Sequence, residues 1–311
     1  MKENRGFSSN IGAILAAAGG AVGLGNIWRF PYMLGQNGGG AFLIIYIFFV
    51  LLFGIPLIMS EFIIGRRAQS NVVGAYRKLS GGNKMWSTLG IFCIVSALMI
   101  YAFYSVVAGW TLNYLVLACG NKLSGLSSDE IVQTFNTFTQ GSFYPLLFQF
   151  LFLSITAVVV SMGVQKGIEK FSKILMPLLF ILLLCMCVRS LSLEGASEGI
   201  KFVFKPDFKK ITGNSLLEAL GQSFFSLSLG MGAMITYGSY MQKKDNLFKS
   251  SVWIAVCDLL VAILAGLVIL SVAMFSKIKK MMAPNWSILF YLMSLIICLQ
   301  VICSPSFSLS C

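Results

Sequence analysis

The sequence predicts an all-α, polytopic membrane protein whose first and sixth spans are interrupted midway. Three observations predict it. The 311 residues are 57% hydrophobic and only 11% charged, with a mean hydropathy of +0.85, a composition suited to a bilayer rather than to a soluble core. Apolar runs long enough to span fall at 11–35, 41–64, 86–119, 144–162, 171–193, 215–241 and 251–275, with a last run at 285–303. The first and sixth of these carry glycines and small polar residues in their middles.

The first span lies within Ser8–Tyr46, SSNIGAILAAAGGAVGLGNIWRFPYMLGQNGGGAFLIIY. Gly19, Gly20, Gly23 and Gly25 crowd its centre, followed by Asn26, Arg29 and Pro31. Glycine weakens helix and frees the backbone. Freed amides and carbonyls find no water in hydrocarbon, so a broken helix persists there only where it lines a protein cavity. A break over Val22–Asn26 therefore implies a ligand site at mid-membrane. The second span closes on PLIMSEF with Glu61, and the third contains Ile100 and Tyr104 in LMIYAFYSVVAGW.

Between the fourth and fifth spans, GIEKFSKILMP sets Gly167 ten residues before Pro177. Proline removes a donor and glycine frees the chain, so this helix start can unwind; an ordinary kinked start is the alternative. The loop Ser192–Asn214 includes KFVFKPDF, which reads as an amphipathic segment on the outer surface. The sixth span, GQSFFSLSLGMGAMITYGSY, places Ser226, Ser228, Gly230 and Gly232 mid-helix. Periodicity alone would equally allow two glycine-kinked packing helices. Ionisable residues within spans are Arg29, Glu61 and Asp258, with Glu218 near a helix end; each is costly in lipid and thereby a functional candidate.

Composition also excludes. A net charge of +12 and a pI near 9.4 could suggest nucleic acid, but the basic residues lie between apolar spans, so the partner is the lipid bilayer. Thirteen of them (Lys2 and Arg5, then groups after the second, fourth and sixth spans) fall on one side, against six on the other. Positive-inside bias then puts the N-terminus in the cytoplasm of a cell membrane. There is no His, and the eight Cys lie mostly in apolar stretches without metal spacing, as small packing residues do. No thiol–base pair, carboxylate pair or phosphate loop supports an enzyme, and no cofactor is expected. The first apolar run lacks a small-residue cleavage site and is expected to be retained.

The motif GLGNIWRFPYMLGQNGGGAF, Gly23–Phe42, resembles the first-helix pattern GLGN-x-WRFP-x-x-x-x-x-NGGGAF of the neurotransmitter:sodium symporters, and SLSLGMGAMITYGSY resembles the second break of the same family, in its bacterial amino-acid transporter branch. The resemblance runs from about Arg5 to Met274. It implies the N-terminal part of a five-helix inverted-repeat fold, with broken helices 1 and 6 flanking the site, and sodium-coupled symport of an amino acid by alternating access.

Site residues follow from the resemblance. One sodium ion would take the carbonyl of Ala21, the amide oxygen of Asn26, Ser226 and Asp258, completed by the substrate carboxylate, a shared contact that couples the two affinities. A second sodium would take the carbonyls of Gly19 and Val22. The substrate carboxylate would rest on the amides of Leu24 and Gly25, at the positive end of a half-helix, with the Tyr104 hydroxyl donating to it; interface packing is Tyr104's alternative. Ile100, Phe225, Ser228 and Met231 would line the side-chain pocket. Gly23 stands where amine carriers have Asp, so an apolar or aromatic amino acid is expected. Tyr46, Gln222 and Ser226 match chloride-site positions, while the carboxylate of Asp258 argues against a chloride requirement. Arg29 reads as an outer-gate charge, Glu61 as acceptor for the freed backbone of the broken first helix, and Gly167 with Pro177 as the unwinding start of the fifth.

The resemblance stops after residue 275, and 276–311 reads as an unrelated tail with one apolar run. Shifted by one base, the codons of that tail permit DDGPQLVYSILPDVF, with one Gly and one Leu forced, which resembles the family's GP-x-L-V/F-x-x-x-LP-x-VF segment. The expectation is a frameshift near Ser276 and a truncated chain that does not couple transport alone. A genuine short variant, or an inactive or regulatory membrane fragment of such a transporter, is the alternative.

Overall fold

In the computed structural model, which describes residues 7–120, 122, 128–192 and 196–279, the first span begins at a cap. The Ser9 hydroxyl accepts from the Gly12 amide at 3.0 Å, satisfying one of the donors that a helix start leaves open. Helix α1 (Asn10–Ala21) stops at Val22, whose backbone turns extended. A π-turn over Gly25–Arg29 leads into α2 (Phe30–Gln36), and the two halves meet at 52°. The break is narrower than Val22–Asn26: Leu24 is helical again and Asn26 lies in the wider π-turn. Pro31 directly follows the π-turn, whose wider winding accommodates a residue without an amide to donate.

The remaining spans follow in order. Helices α3 (Gly40–Phe49) and α4 (Ile55–Ala68), joined by a π-turn, form one span. After α5 (Val72–Leu79), capped by Asn71, comes α6 (Lys84–Cys119), capped by Asn83. Then come α7 (Ser128–Gln140), α8 (Phe143–Ser161), and a π-turn over Val164–Glu169 that opens α9 (Lys170–Leu191). Outside the spans lies α10 (Ala196–Phe204). The sixth apolar run divides into α11 (Gly213–Ser226) and α12 (Ala233–Tyr240), with Leu227–Gly232 outside helix. The last described element is α13 (Leu247–Lys279). Among the described residues, five helices are long and apolar enough to cross a membrane, and the bent α1–α2 pair makes six. The chain is thus a multi-pass membrane protein. Helix α13 continues past residue 275; the rest of the tail, its apolar run at 285–303, and Lys2 and Arg5 lie outside the described residues.

Helix α13 is central, packing on α1, α2, α4, α9 and α10. Helix α12 packs on α4, α11 on α3, and α6 on α8. Outward side chains such as Phe92, Met99 and Phe150 are exposed and apolar, as a lipid-facing surface requires. The segment KFVFKPDF does not lie free. Its Pro206 bridges to Gly39, and Val203 is buried while Phe204 and Phe208 are exposed. Gly39 is obligatory at that contact: its φ is +61°, and a Cβ would lie 2.2 Å from the Phe202 carbonyl oxygen.

Candidate functional site

The two interruptions face each other. Helix α11 ends at Ser226, and Ser228, Gly230 and Gly232 follow at positive φ. Such angles are cheap for glycine and costly for serine. Ser228 is held there by its hydroxyl, which donates to the Gly20 carbonyl in α1 at 2.9 Å. That carbonyl belongs to the last turn of α1, where acceptors lack intrahelical donors. Ser228 therefore ties the two breaks together, half-buried at their junction.

Below this tie lies a buried polar cluster. The Asn26 amide donates to Asp258 Oδ1 at 2.8 Å and to Ser226 Oγ at 2.9 Å. Ser226 Oγ donates in turn to the Asp258 carboxylate, 2.8 and 2.9 Å from its two oxygens. The Tyr46 hydroxyl donates to Asp258 Oδ2 at 2.9 Å. One turn before Ser226, Gln222 donates to the Gly25 carbonyl at 3.0 Å, and its own amide oxygen is buried without a donor. Donors from three sequence-distant segments thus converge on one carboxylate. The Asn26 amide oxygen, expected as a sodium ligand, accepts from the Gly23 amide at 2.9 Å, and its NH₂ end faces the carboxylate.

The other expected residues divide. Arg29 lies 5.1 Å over the Phe225 ring, within cation–π range, and Tyr104 lies 6.4 Å from the same ring. Gly25 backs onto Phe225: a Cβ there would come within 3.1 Å of the ring. Ile100 and Met231 are half-buried, and Gly19, Ala21, Val22 and Leu24 are buried. Glu61 is a correction. Its Oε1 accepts from the Gly230 amide at 2.8 Å, so it serves the second break, not the first, because α4 packs on α12. Gly167 lies in the π-turn before α9, against the Val159 carbonyl, and Pro177 inside α9.

Sequence reasoning passed over Glu169, Gly65 and Gly238. Glu169 sits among lysines and reads as interfacial, yet its residue is 1% exposed. The glycines are visible in sequence, but which helix they meet is not.

Comparison with known proteins agrees with the fold. The model of the sodium:neurotransmitter symporter family matches residues 4–142 and 140–282. An uncharacterised sodium-dependent transporter of Bacillus subtilis, YhdH, is 44% identical over 263 residues, 85% of this chain and 58% of that protein. The mouse sodium-dependent neutral amino acid transporter B(0)AT2 is 30% identical over 307 residues, 88% of this chain and 41% of that protein. The crystal structure of MhsT in complex with L-phenylalanine superposes with a TM-score of 0.86 at 40% identity, covering 96% of this chain and 72% of that one. The chain spans about three fifths of the length of the bacterial relative. It belongs to the sodium:neurotransmitter symporter family.

Proposed function

We propose that the site serves sodium-coupled symport of a small apolar or aromatic amino acid across the cell membrane, with the N-terminus cytoplasmic. The carrying observation is the convergence of Asn26, Ser226 and Asp258 between two facing breaks. Its acceptors are hard oxygens, which suit a hard cation rather than a soft metal. The carbonyls of Ala21, Gly19 and Val22 belong to the open end of α1. Sodium binding would turn the Asn26 amide to present its oxygen. The substrate carboxylate would meet the amides of Leu24 and Gly25, with Tyr104 donating. Its side chain would lie among Ile100, Phe225 and Met231, beneath Arg29. The phenylalanine complex of MhsT and the neutral amino acid relative support that substrate class.

Chloride is not required in this reading. Tyr46 and Ser226 already donate to the carboxylate of Asp258, so the donors an anion would use are taken. The reading is tested by sodium-dependent uptake of labelled phenylalanine and leucine in cells expressing the chain. Uptake independent of sodium would overturn it.

A further inference from the structure

The most buried carboxylate unused by this reading is Glu169, at the end of the π-turn that opens α9. It accepts from the Ser8 backbone amide at 2.8 Å and also from the Ser8 hydroxyl. Lys173, one turn later, pairs with it at 2.7 Å and donates to Ser8 Oγ at 3.2 Å. Gly12 of α1 lies flush against the pair: a Cβ there would fall 2.1 Å from Glu169 Oε1 and 2.7 Å from Lys173 Cε. The fifth span is thereby bolted to the start of the first. On its other side the same stretch is held by Phe7, whose amide donates to Tyr240 and whose carbonyl accepts from Gln242.

The π-turn itself is a weak point. Gly163, at φ +80°, precedes it, Gly167 fills its middle, and Pro177 takes a donor from the helix beyond. A charged acceptor holding two donors of another span makes a stronger tie than neutral bonds do. We propose that Glu169 is a latch that joins α1 to this turn, so that the inner end of α1 and the Val164–Glu169 turn open as one unit and not separately. The latch deepens the carrier reading, in which one bundle rocks against the other. Its readout is exchange rather than uptake, so failure of transport and failure of the latch give different records.

The test is hydrogen exchange on the purified full chain in detergent. Glu169→Gln places an NH₂ against the donors of Ser8. Exchange should rise roughly tenfold or more, the size expected for losing a hydrogen bond to a charged group. The rise should appear together in Ser8–Ala13 and in Val164–Glu169, with Gly40–Ala68 unchanged. Gly12→Ala, which displaces the carboxylate without removing it, should raise exchange in the same two segments. A rise confined to one segment, or none in either variant, overturns the latch. In the unmodified chain the two segments should share one opening free energy across a urea series; different urea slopes overturn it even if neither variant folds.

Discussion

Asn26 and Asp258 are 232 positions apart in the chain and 2.8 Å apart in the fold, joined Nδ2 to Oδ1. Both are fully buried. Tyr46 and Ser226 donate to the same carboxylate. A buried charge persists only with such partners. Its three donors link α3, the first break and the end of α11 to α13 at a single point.

Asp258→Asn is the direct probe. An amide keeps one acceptor and sets its NH₂ against the donors that met the other oxygen, and each unmet buried donor costs about 1–3 kcal/mol. The charge beside the cation is also gone. Sodium-dependent binding of labelled phenylalanine should need at least about tenfold more sodium, and chloride should now stimulate it. Equal sodium curves in chloride and gluconate, unshifted from the parent, would refute both the ion site and the argument against chloride.

A second expectation concerns α4 and α12. Gly65 backs onto Ile235, where a Cβ would lie 1.9 Å from the carbonyl oxygen, and Gly238 answers it with 2.7 Å to the Phe62 carbonyl. Membrane helices lack a hydrophobic drive towards one another and pack through such small residues. The obstructing atoms are backbone, so they cannot swing aside. Gly65→Ala should cost about 1–3 kcal/mol, read as a lower midpoint in thermal unfolding of the purified chain. It should also loosen the bond from Gly230, in the break before α12, to Glu61 of α4. An unchanged midpoint would show that the helices part without cost.

How much of this was readable beforehand divides by distance along the chain. The spans, both breaks and the ionisable candidates follow from local pattern, because glycine clusters and apolar runs declare themselves within twenty residues. The family motifs brought Asn26, Ser226 and Asp258 into one expectation. What local pattern could not reach was pairing across spans. Glu61 was assigned to the first break and meets Gly230 of the second. The Asn26 amide meets Asp258 by its nitrogen and Ser228 meets the Gly20 carbonyl, two contacts on which local pattern is silent. In each case the partner is set by which helix packs alongside, and that depends on small-residue contacts such as Gly65 on Ile235, which carry no local signature.

Arg29 offers a third test. Its guanidinium lies over the Phe225 ring at 5.1 Å, and a lysine ammonium is a compact point charge without the planar face that stacks on an aromatic ring. Arg29→Lys should weaken that contact by about 0.5–2 kcal/mol. If the pair covers the bound amino acid, dissociation of labelled phenylalanine should quicken by about 2- to 30-fold, with the sodium requirement unchanged. A variant with an unaltered off-rate would leave Arg29 without a gating role.

Ser228 separates two contributions that a single substitution would blur. At φ 52° its backbone carries about 1–2 kcal/mol of left-handed penalty, and its hydroxyl satisfies the Gly20 carbonyl. Ser228→Ala loses the bond and keeps the penalty. Ser228→Gly loses the same bond but sheds the penalty, offset in part by the freer unfolded chain. Both variants should unfold at lower temperature than the parent, because a carbonyl at the broken end of α1 loses its donor at about 1–3 kcal/mol. The alanine form should be the less stable of the two by roughly 1 kcal/mol. If the two variants melt together, the positive φ stores no strain; if neither differs from the parent, the tie between the two breaks contributes nothing to holding them face to face.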